Sequence, residues 1–376
     1  MEYIERTKSL LTGKANMEPL YTFRHFPVFM GCTQQPPEED LFADMEWQIC
    51  RDTGIIQLAK LLPLEILYQN QHNEGCGAVW TEHYLELTKF IAKYGPKRVL
   101  EIGGAHGIVA QQYVSMHPNA EWTIIEPNPT FSGEDRIRVL KGWFDDAFSF
   151  DREVDAVVHS HVFEHTYDPP RFLSHIASFL PAGKLQIFAF PNMYELVKKK
   201  YTSGLNFEHT AFLTEDITEY LLARNGFRVL EKSYFKDHSI FYATEKIHPP
   251  ASLPVFENRY AEYRDLFMEF VNYHLELIAD LNEKISKATT SVYLFGAHIF
   301  SQYLIGFGLH TDAIVAVLDN GAAKQGKRLY GTKFNAESPK VLVGKGPVNI
   351  ILKAGIYNEE IKKDILENIN SEAVFW

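Results

Sequence analysis

Apolar and polar positions along this chain alternate between two kinds of block. Short apolar runs at residues 98–102, 123–126, 137–140, 156–159 and 185–190 have strand length. Between them lie stretches whose apolar residues recur at three- and four-residue steps, the helical period. Residues 79–94 form one, with Trp80, Tyr84, Leu87, Phe90 and Ile91 in step and Gly95-Pro96 as its stop. Residues 171–179 form another, opened by Pro169-Pro170. Strands alternating with helices predict a parallel sheet covered on both faces.

After Asn192 the pattern changes. Residues 194–201 read as helix, and Thr202-Ser203-Gly204 as loop. Thr214 is placed to cap a helix whose first turn carries Glu215 and Asp216, as the helix dipole favours, and which ends at Asn225-Gly226. The alternating runs 227–234 and 239–244 predict an antiparallel pair closing the sheet. Pro249-Pro250 and Pro254 mark a linker. A long helix is expected over 257–287, with Tyr260, Tyr263, Leu266, Phe267, Phe270, Leu275, Ile278 and Leu281 on one stripe. That stripe is a packing surface that could also pair two copies. Beyond it, residues 291–298 repeat the order strand, glycine turn, helix, and 313–318 and 349–352 read as further strands. Residues 1–73 show no clear alternation apart from a strand at 54–58, and Pro36-Pro37-Glu38-Glu39-Asp40 is a loop. The expected organisation is α/β: a small irregular N-terminal lobe (1–73), a central Rossmann-like sheet (74–248) and a C-terminal Rossmann-like domain (249–376).

Composition narrows the class. A chain of 376 residues, 46% hydrophobic and 23% charged, reads as a globular protein of two or three domains. A formal net charge of -11 argues against a nucleic-acid surface. No apolar run approaches a membrane span, and the polar start Met1-Glu2-Tyr3-Ile4-Glu5-Arg6 is unlike a secretory signal. Three cysteines, Cys32, Cys50 and Cys76, suggest a reducing cytoplasm without a disulfide framework.

The chemistry concentrates in Val99-Leu100-Glu101-Ile102-Gly103-Gly104-Ala105-His106-Gly107. A strand runs into a glycine turn and then a helix, whose N-terminal N–H groups and bare glycine backbone admit a ligand closely. Nineteen residues after Gly107, a second strand ends in Glu126, placed to hold both hydroxyls of a ribose. The turn lacks the Gly-x-Gly-x-x-Gly that seats a pyrophosphate. Glu101 on the strand suits an amino-bearing group, and Asp145 after Phe144 suits an adenine amine. Those demands are met by S-adenosylmethionine, with Glu101, Gly103, Gly104, Gly107, Glu126, Phe144 and Asp145 around it and His161, beyond the fourth strand, lining the pocket.

The chain resembles the sugar C-methyltransferases, three-part enzymes that methylate a nucleotide-linked keto-deoxysugar. The resemblance rests on residues 99–107, on Glu126-Pro127, on Asn206-Phe207-Glu208-His209 before Phe212-Leu213-Thr214, and on Leu294-Phe295-Gly296-Ala297 with Asp319-Asn320 and Lys324-Gln325-Gly326-Lys327. It implies a class I methyltransferase sheet, an N-terminal zinc lobe and a nucleotide-sugar substrate. Two departures stand out. The family's zinc lobe carries two Cys-x-x-Cys pairs; here Thr53 follows Cys50 where a second cysteine belongs, and Cys32, Cys50 and His25 fall short of four ligands, so no metal is expected. Asn206 stands where the family's motif has a tyrosine.

His209 is the expected general base, because imidazole titrates near neutrality, with Glu208 orienting it or holding a sugar hydroxyl. Tyr68, in Tyr68-Gln69-Asn70-Gln71-His72, occupies the family's substrate-side tyrosine position, and Asn206 and His165 complete the acceptor side. Glu164-His165 is a competing pair near the cofactor's methionine end. His298, Trp47, Trp80 and Phe190 are read as structural. The expected protein is a cytoplasmic S-adenosylmethionine-dependent methyltransferase of a nucleotide-activated sugar, without nucleic-acid or membrane partners. O-methylation of a sugar or small alcohol, and a non-catalytic binding role, stay open at this point.

Overall fold

The computed structural model describes residues 2–68, 77–248 and 254–376. Cys76, Gln69 to His72 and Pro249-Pro250 therefore lie outside the described residues. The central sheet has seven strands: β1 (Arg98–Ile102), β2 (Glu121–Glu126), β3 (Ile137–Lys141), β4 (Ala156–Ser160), β5 (Leu185–Pro191), β6 (Phe227–Phe235) and β7 (Ser239–Lys246). Their order is β6-β7-β5-β4-β1-β2-β3, with β1 to β5 parallel and β7 antiparallel to both neighbours. This is a class I methyltransferase-type Rossmann-like sheet. The chain moves outward from β1 to β3 and then returns to β4, so the strand order reverses between β1 and β4. A ligand crevice is expected above their carboxyl ends.

The burial explains why β1 and β4 read as mainly apolar runs without alternation. Val99 and Val158 pack with Leu87, Phe90 and Ile91 of the helix Ala78–Ala92 on one face. Leu100 and Val157 join the opposite cluster with Leu173, Ile176 and Phe188. A strand covered on both faces has no side that rewards polar residues.

The N-terminal lobe departs from the irregular lobe expected. It holds a three-stranded antiparallel sheet of Met17–Pro27, Phe42–Cys50 and Ile56–Leu58. Alternation is present in Phe42–Cys50, where Ala43, Met45, Trp47 and Ile49 are buried. It is scrambled in Met17–Pro27 by register shifts between Pro19 and Tyr21 and between Phe23 and Phe26. Each inserted residue swaps the inward and outward faces, so no period of two survives.

Two further differences are local. Thr214 does sit at the start of the helix Glu215–Arg224, but its side chain makes no capping bond. Its hydroxyl instead meets the Tyr263 hydroxyl at 2.8 Å. The long helix, Tyr260–Lys287, spends its stripe inside this chain: Phe267 lies against Trp47, and His274 stacks on Phe307 with ring centres 5.0 Å apart. Leu275 alone of the eight stripe residues is exposed, at 45%. No helix among the described residues is long and apolar enough to cross a membrane.

The C-terminal sheet has five parallel strands in the order Ala336–Glu337, Ile314–Leu318, Val292–Phe295, Val348–Leu352, Ala373–Phe375. Its glycine turn is occupied by its own Asp319, which accepts from the Ala297 N–H at 2.9 Å and pairs with Lys324 at 3.0 Å. This sheet is tied to the N-terminal lobe by a short antiparallel pair, Cys32–Thr33 with Arg328–Leu329. Beside it Arg328 grips both oxygens of Asp40, at 2.5 and 2.7 Å, and also donates to the Gln35 and Thr332 carbonyls. Both side chains are buried, at 9% and 2% exposure. Removing one partner of such a pair strands the other charge, at about 3–5 kcal/mol. Asp40→Ala is therefore expected to lower the thermal unfolding midpoint by several degrees, measured by calorimetry. An unchanged midpoint would show that the pair contributes nothing.

Candidate active site

The glycine turn after β1 is shaped from within. Gly103 and Gly107 lie at φ +78° and +66°, a region L side chains rarely adopt. A Cβ at Gly103 would come 2.5 Å from Val162 Cγ2, and one at Gly107 the same distance from the Phe131 ring. At Gly104 a Cβ would come within 2.6 Å of the Glu101 carboxylate. The three glycines thus let Val162, Phe131 and Glu101 close around the turn, work that sequence reading had given to the ligand alone. The turn leads into the helix Ile108–Met116 with Gly107 as its N-cap.

Glu101 is buried beneath that turn, and one carboxylate oxygen accepts the Trp122 indole N–H at 2.7 Å. Burial pushes its carboxyl up to about 7, against the pull of the indole. Glu126, at the tip of β2, is also buried, and its Oε1 accepts the Asn128 N–H at 2.9 Å. Asn128 Nδ2 reaches back to the Tyr68 carbonyl at 3.3 Å. Phe144 packs among Phe148, Phe172, His175 and Phe179 on the sheet's flank. Asp145 is exposed and accepts from its own loop, the Ala147 N–H at 2.9 Å. The buried carboxylates at the tips of β1 and β2, flanking a turn that only glycine can make, fit the amino-bearing and ribose portions of S-adenosylmethionine.

A second group gathers beyond β4. Glu164 and His165 sit on the short turn Phe163–His165, and Glu208 and His209 on the segment after Gly204. One donor atom from each of Glu164, His165 and His209 lies within 4.8 Å of the others. The His165 and His209 rings meet edge to face, 4.9 Å between centres. His209 Nδ1–H donates to the Gly204 carbonyl at 2.8 Å. That bond fixes the tautomer and leaves Nε2 with its lone pair, the arrangement a base requires. Burial holds the ring below the usual imidazole range, so it is neutral at physiological pH. The Glu208 carboxyl is pushed up to about 7 by burial and by the charge of Glu164. His165 Nδ1 lies 3.4 Å from Glu208 Oε2 without hydrogen-bond alignment, and both it and Glu164 Oε2 are buried without a partner.

Asn206 serves this segment's backbone. Its side-chain oxygen accepts the N–H of Glu208 at 2.8 Å and of His209 at 2.9 Å, closing the turn that aims both side chains. The turn is then gripped from outside. Phe212 N–H donates to the Ile56 carbonyl and Leu58 N–H to the Thr210 carbonyl, at 2.8 and 3.0 Å. Arg6 donates to the same Thr210 carbonyl at 2.8 Å and to the Tyr167 carbonyl. The Tyr303 hydroxyl donates to the Leu205 carbonyl at 2.7 Å. Arg6 and Tyr303 carried no signal in the sequence; their roles exist only through contacts more than ninety residues away in the chain.

Tyr68 links the two groups. Its hydroxyl feels the charges of Glu208, Glu164 and Glu126, which with burial keep it protonated far into the alkaline range. Its ring meets Trp143 edge-on, 5.4 Å between centres. His161, expected to line the cofactor pocket, instead turns its ring toward Trp80, His83 and His238, at a strained φ of +53°. Its Nδ1 bonds Glu164 at 3.0 Å, so it touches the acceptor-side group from behind.

Residues 79–232 match the family model described as a methyltransferase domain. These residues accordingly form a domain of the methyltransferase type, a class whose methyl donor is S-adenosylmethionine. No curated protein matches the chain. Solved structures similar in part include human N-acetylserotonin methyltransferase in complex with SAM, at 18% identity and TM-score 0.40, covering 45% of this chain and 53% of that one. Another is the 1,6-didemethyltoxoflavin-N1-methyltransferase of Burkholderia thailandensis with bound 1,6-didemethyltoxoflavin and S-adenosylhomocysteine, at 14% identity and TM-score 0.37, covering 45% and 81%. A third is the N,N-8-amino-8-demethyl-D-riboflavin dimethyltransferase of Streptomyces davawensis, at 18% and 0.37, covering 44% and 55%. The chain spans little more than half the length of the first and third.

The raised Glu208 carboxyl makes a signed prediction. Between the ordinary value of 4.5 and about 7 the folded protein holds this proton while the unfolded chain has lost it, so folding is favoured less as pH rises through that window. Glu208→Gln removes the titration. At pH 5 the variant should match the parent, and by pH 8 it should gain on it, by on the order of 3 kcal/mol for a fully buried carboxyl. Denaturant unfolding of both proteins at the two pH values checks this; a constant difference would place Glu208 in a solvated site.

Proposed function

We propose that the enzyme transfers a methyl group to a nucleotide-activated sugar, with His209 as general base. S-adenosylmethionine supplies a methyl carried on a sulfonium. Glu126 holds the ribose hydroxyls, and Glu101, with Gly103, Gly104 and Gly107, shapes the floor of the cofactor site; Phe144 and Asp145 lie on its adenine side. The acceptor sits above the Glu164, His165, Glu208 and His209 group. His209 Nε2 would take the acceptor's proton while the acceptor is held in line with the methyl group that the bound cofactor would supply. Glu208, Asn206 and His165 fix the direction of approach. The observation that carries this reading is the Nδ1–H bond of His209 to Gly204, because it leaves the other nitrogen of a buried ring with its lone pair.

For a carbon acceptor beside a ketone, negative charge builds on the carbonyl oxygen and needs a donor. Tyr68 stays protonated next to both groups and supplies one, in place of the tyrosine that Asn206 replaces. For a hydroxyl acceptor the same His209 suffices, and Tyr68 becomes a binding contact. O-methylation is the second reading, favoured by Asn206, whose side-chain oxygen is committed to the backbone.

His209→Ala should cut turnover by at least about a hundredfold while leaving S-adenosylhomocysteine binding within a few-fold of the parent. Calorimetry and product analysis by mass and NMR against a panel of nucleotide sugars measure both, and the NMR separates a new C–CH3 from a new O–CH3. A fully active variant would remove His209 from the mechanism.

A further inference from the structure

Behind the acceptor-side group lies a second cluster that the reaction above does not use. His83 comes from the helix Ala78–Ala92, His161 follows β4, and His238 lies in the turn between β6 and β7. One ring nitrogen of each lies within 4.8 Å of the other two. Trp80 meets the rings of His161 and His238 edge to face, and Phe235 and Phe241 flank His83.

Hydrogen bonds fix two of the three tautomers. Glu164 accepts from His161 Nδ1–H at 3.0 Å, which leaves His161 Nε2 to accept the Ser239 hydroxyl at 3.0 Å. Ser239 Oγ in turn accepts from His238 Nδ1–H at 2.5 Å, which leaves His238 Nε2 with its lone pair. His83 is wholly buried, and neither of its ring nitrogens has a partner. A neutral imidazole in an aromatic core needs neither neighbour to be another histidine, and it ordinarily satisfies at least one nitrogen.

We infer that His83, His161 and His238 bind a transition-metal ion of the zinc class. Three imidazoles select borderline d-block ions over Mg2+ or Ca2+. A zinc ion at about 2.0–2.1 Å from each nitrogen would take the place of the Ser239 hydroxyl on His161 Nε2, draw the three rings together and leave a fourth position for water. His161 Nδ1–H bonded to Glu164 is the carboxylate support that metal-bound histidines require. The ion pins the helix and the turn to the tip of β4, supplies the force that holds His161 at positive φ, and orients Glu164 toward the acceptor side. The ligands come from the central sheet and the helix beside it, and neither metal-capable group among the described residues includes Cys32, Cys50 or His25.

The full-length protein, stripped with chelator, is titrated with Co2+ alone and then with Zn2+. The expected result is one equivalent of Co2+ bound, with the visible absorption of a four-coordinate, nitrogen-ligated ion that Zn2+ displaces. His238→Ala, in a surface turn, should weaken binding more than about tenfold while unfolding stays cooperative. X-ray absorption of the parent zinc complex should show imidazole scattering from about three rings, independently of any variant. Three results would each overturn the inference: no stoichiometric binding, unchanged affinity in His238→Ala, or a cobalt spectrum lost in His209→Gln and kept in His238→Ala. The last would place the ion at Glu164, His165 and His209.

Discussion

The structure depends on the way residues 204 to 212 are held. This segment carries Glu208 and His209, yet it has almost no secondary structure of its own. Its carbonyls and N–H groups are spent on partners from every part of the molecule: Ile56 and Leu58 of the N-terminal sheet, Arg6 from the start of the chain, Tyr303 from the C-terminal unit, and Asn206 from within. A buried segment with unsatisfied backbone groups would lose about 1–3 kcal/mol at each. The same bonds that cover this cost also fix where the two side chains point. A site built on a loop then acquires the rigidity of the lobes around it.

That arrangement gives the N-terminal lobe a purpose that needs no metal in its own sheet. Its edge strand, Ile56–Leu58, extends across to residues 210–212, so the lobe acts as one jaw of a clamp. The other jaw comes from the C-terminal unit, joined to the same lobe through Arg328 and Asp40. A hydrophobic core of Met45, Trp47, Ile49 and Ile56 already fixes that sheet.

What the sequence revealed follows from how local each signal was. The parallel strands were legible because β1, β4 and β5 bury both faces, and the turn at Gly103 because positive φ leaves a glycine on the page. Phe42–Cys50 had a readable period of two, and only the bulged partner beside it hid the sheet. Thr214 showed the right residue in the right place, but tertiary contact with Tyr263 outcompeted the cap. The pair Glu208-His209 was visible as a motif. Its setting was not, because Arg6, Tyr303, His83 and His238 gain meaning only when distant segments meet, and no spacing rule reaches across such separations.

His209 is set apart from the other buried histidines by this setting rather than by its titration. Several histidines here, among them His159, His161 and His165, are held down to about 3 by burial, so a low value alone singles out none of them. What separates them is where their lone pairs go. His159 Nε2 is engaged by Gln186 at 3.0 Å, deep in the sheet, and His161 has both nitrogens engaged. His209 has one nitrogen committed to a rigid carbonyl and the other left with its lone pair, in a group with Glu164, whose carboxyl burial shifts upward. A neutral ring with one free lone pair is the form that burial favours here, because a charged imidazole would lose its hydration without a partner to replace it.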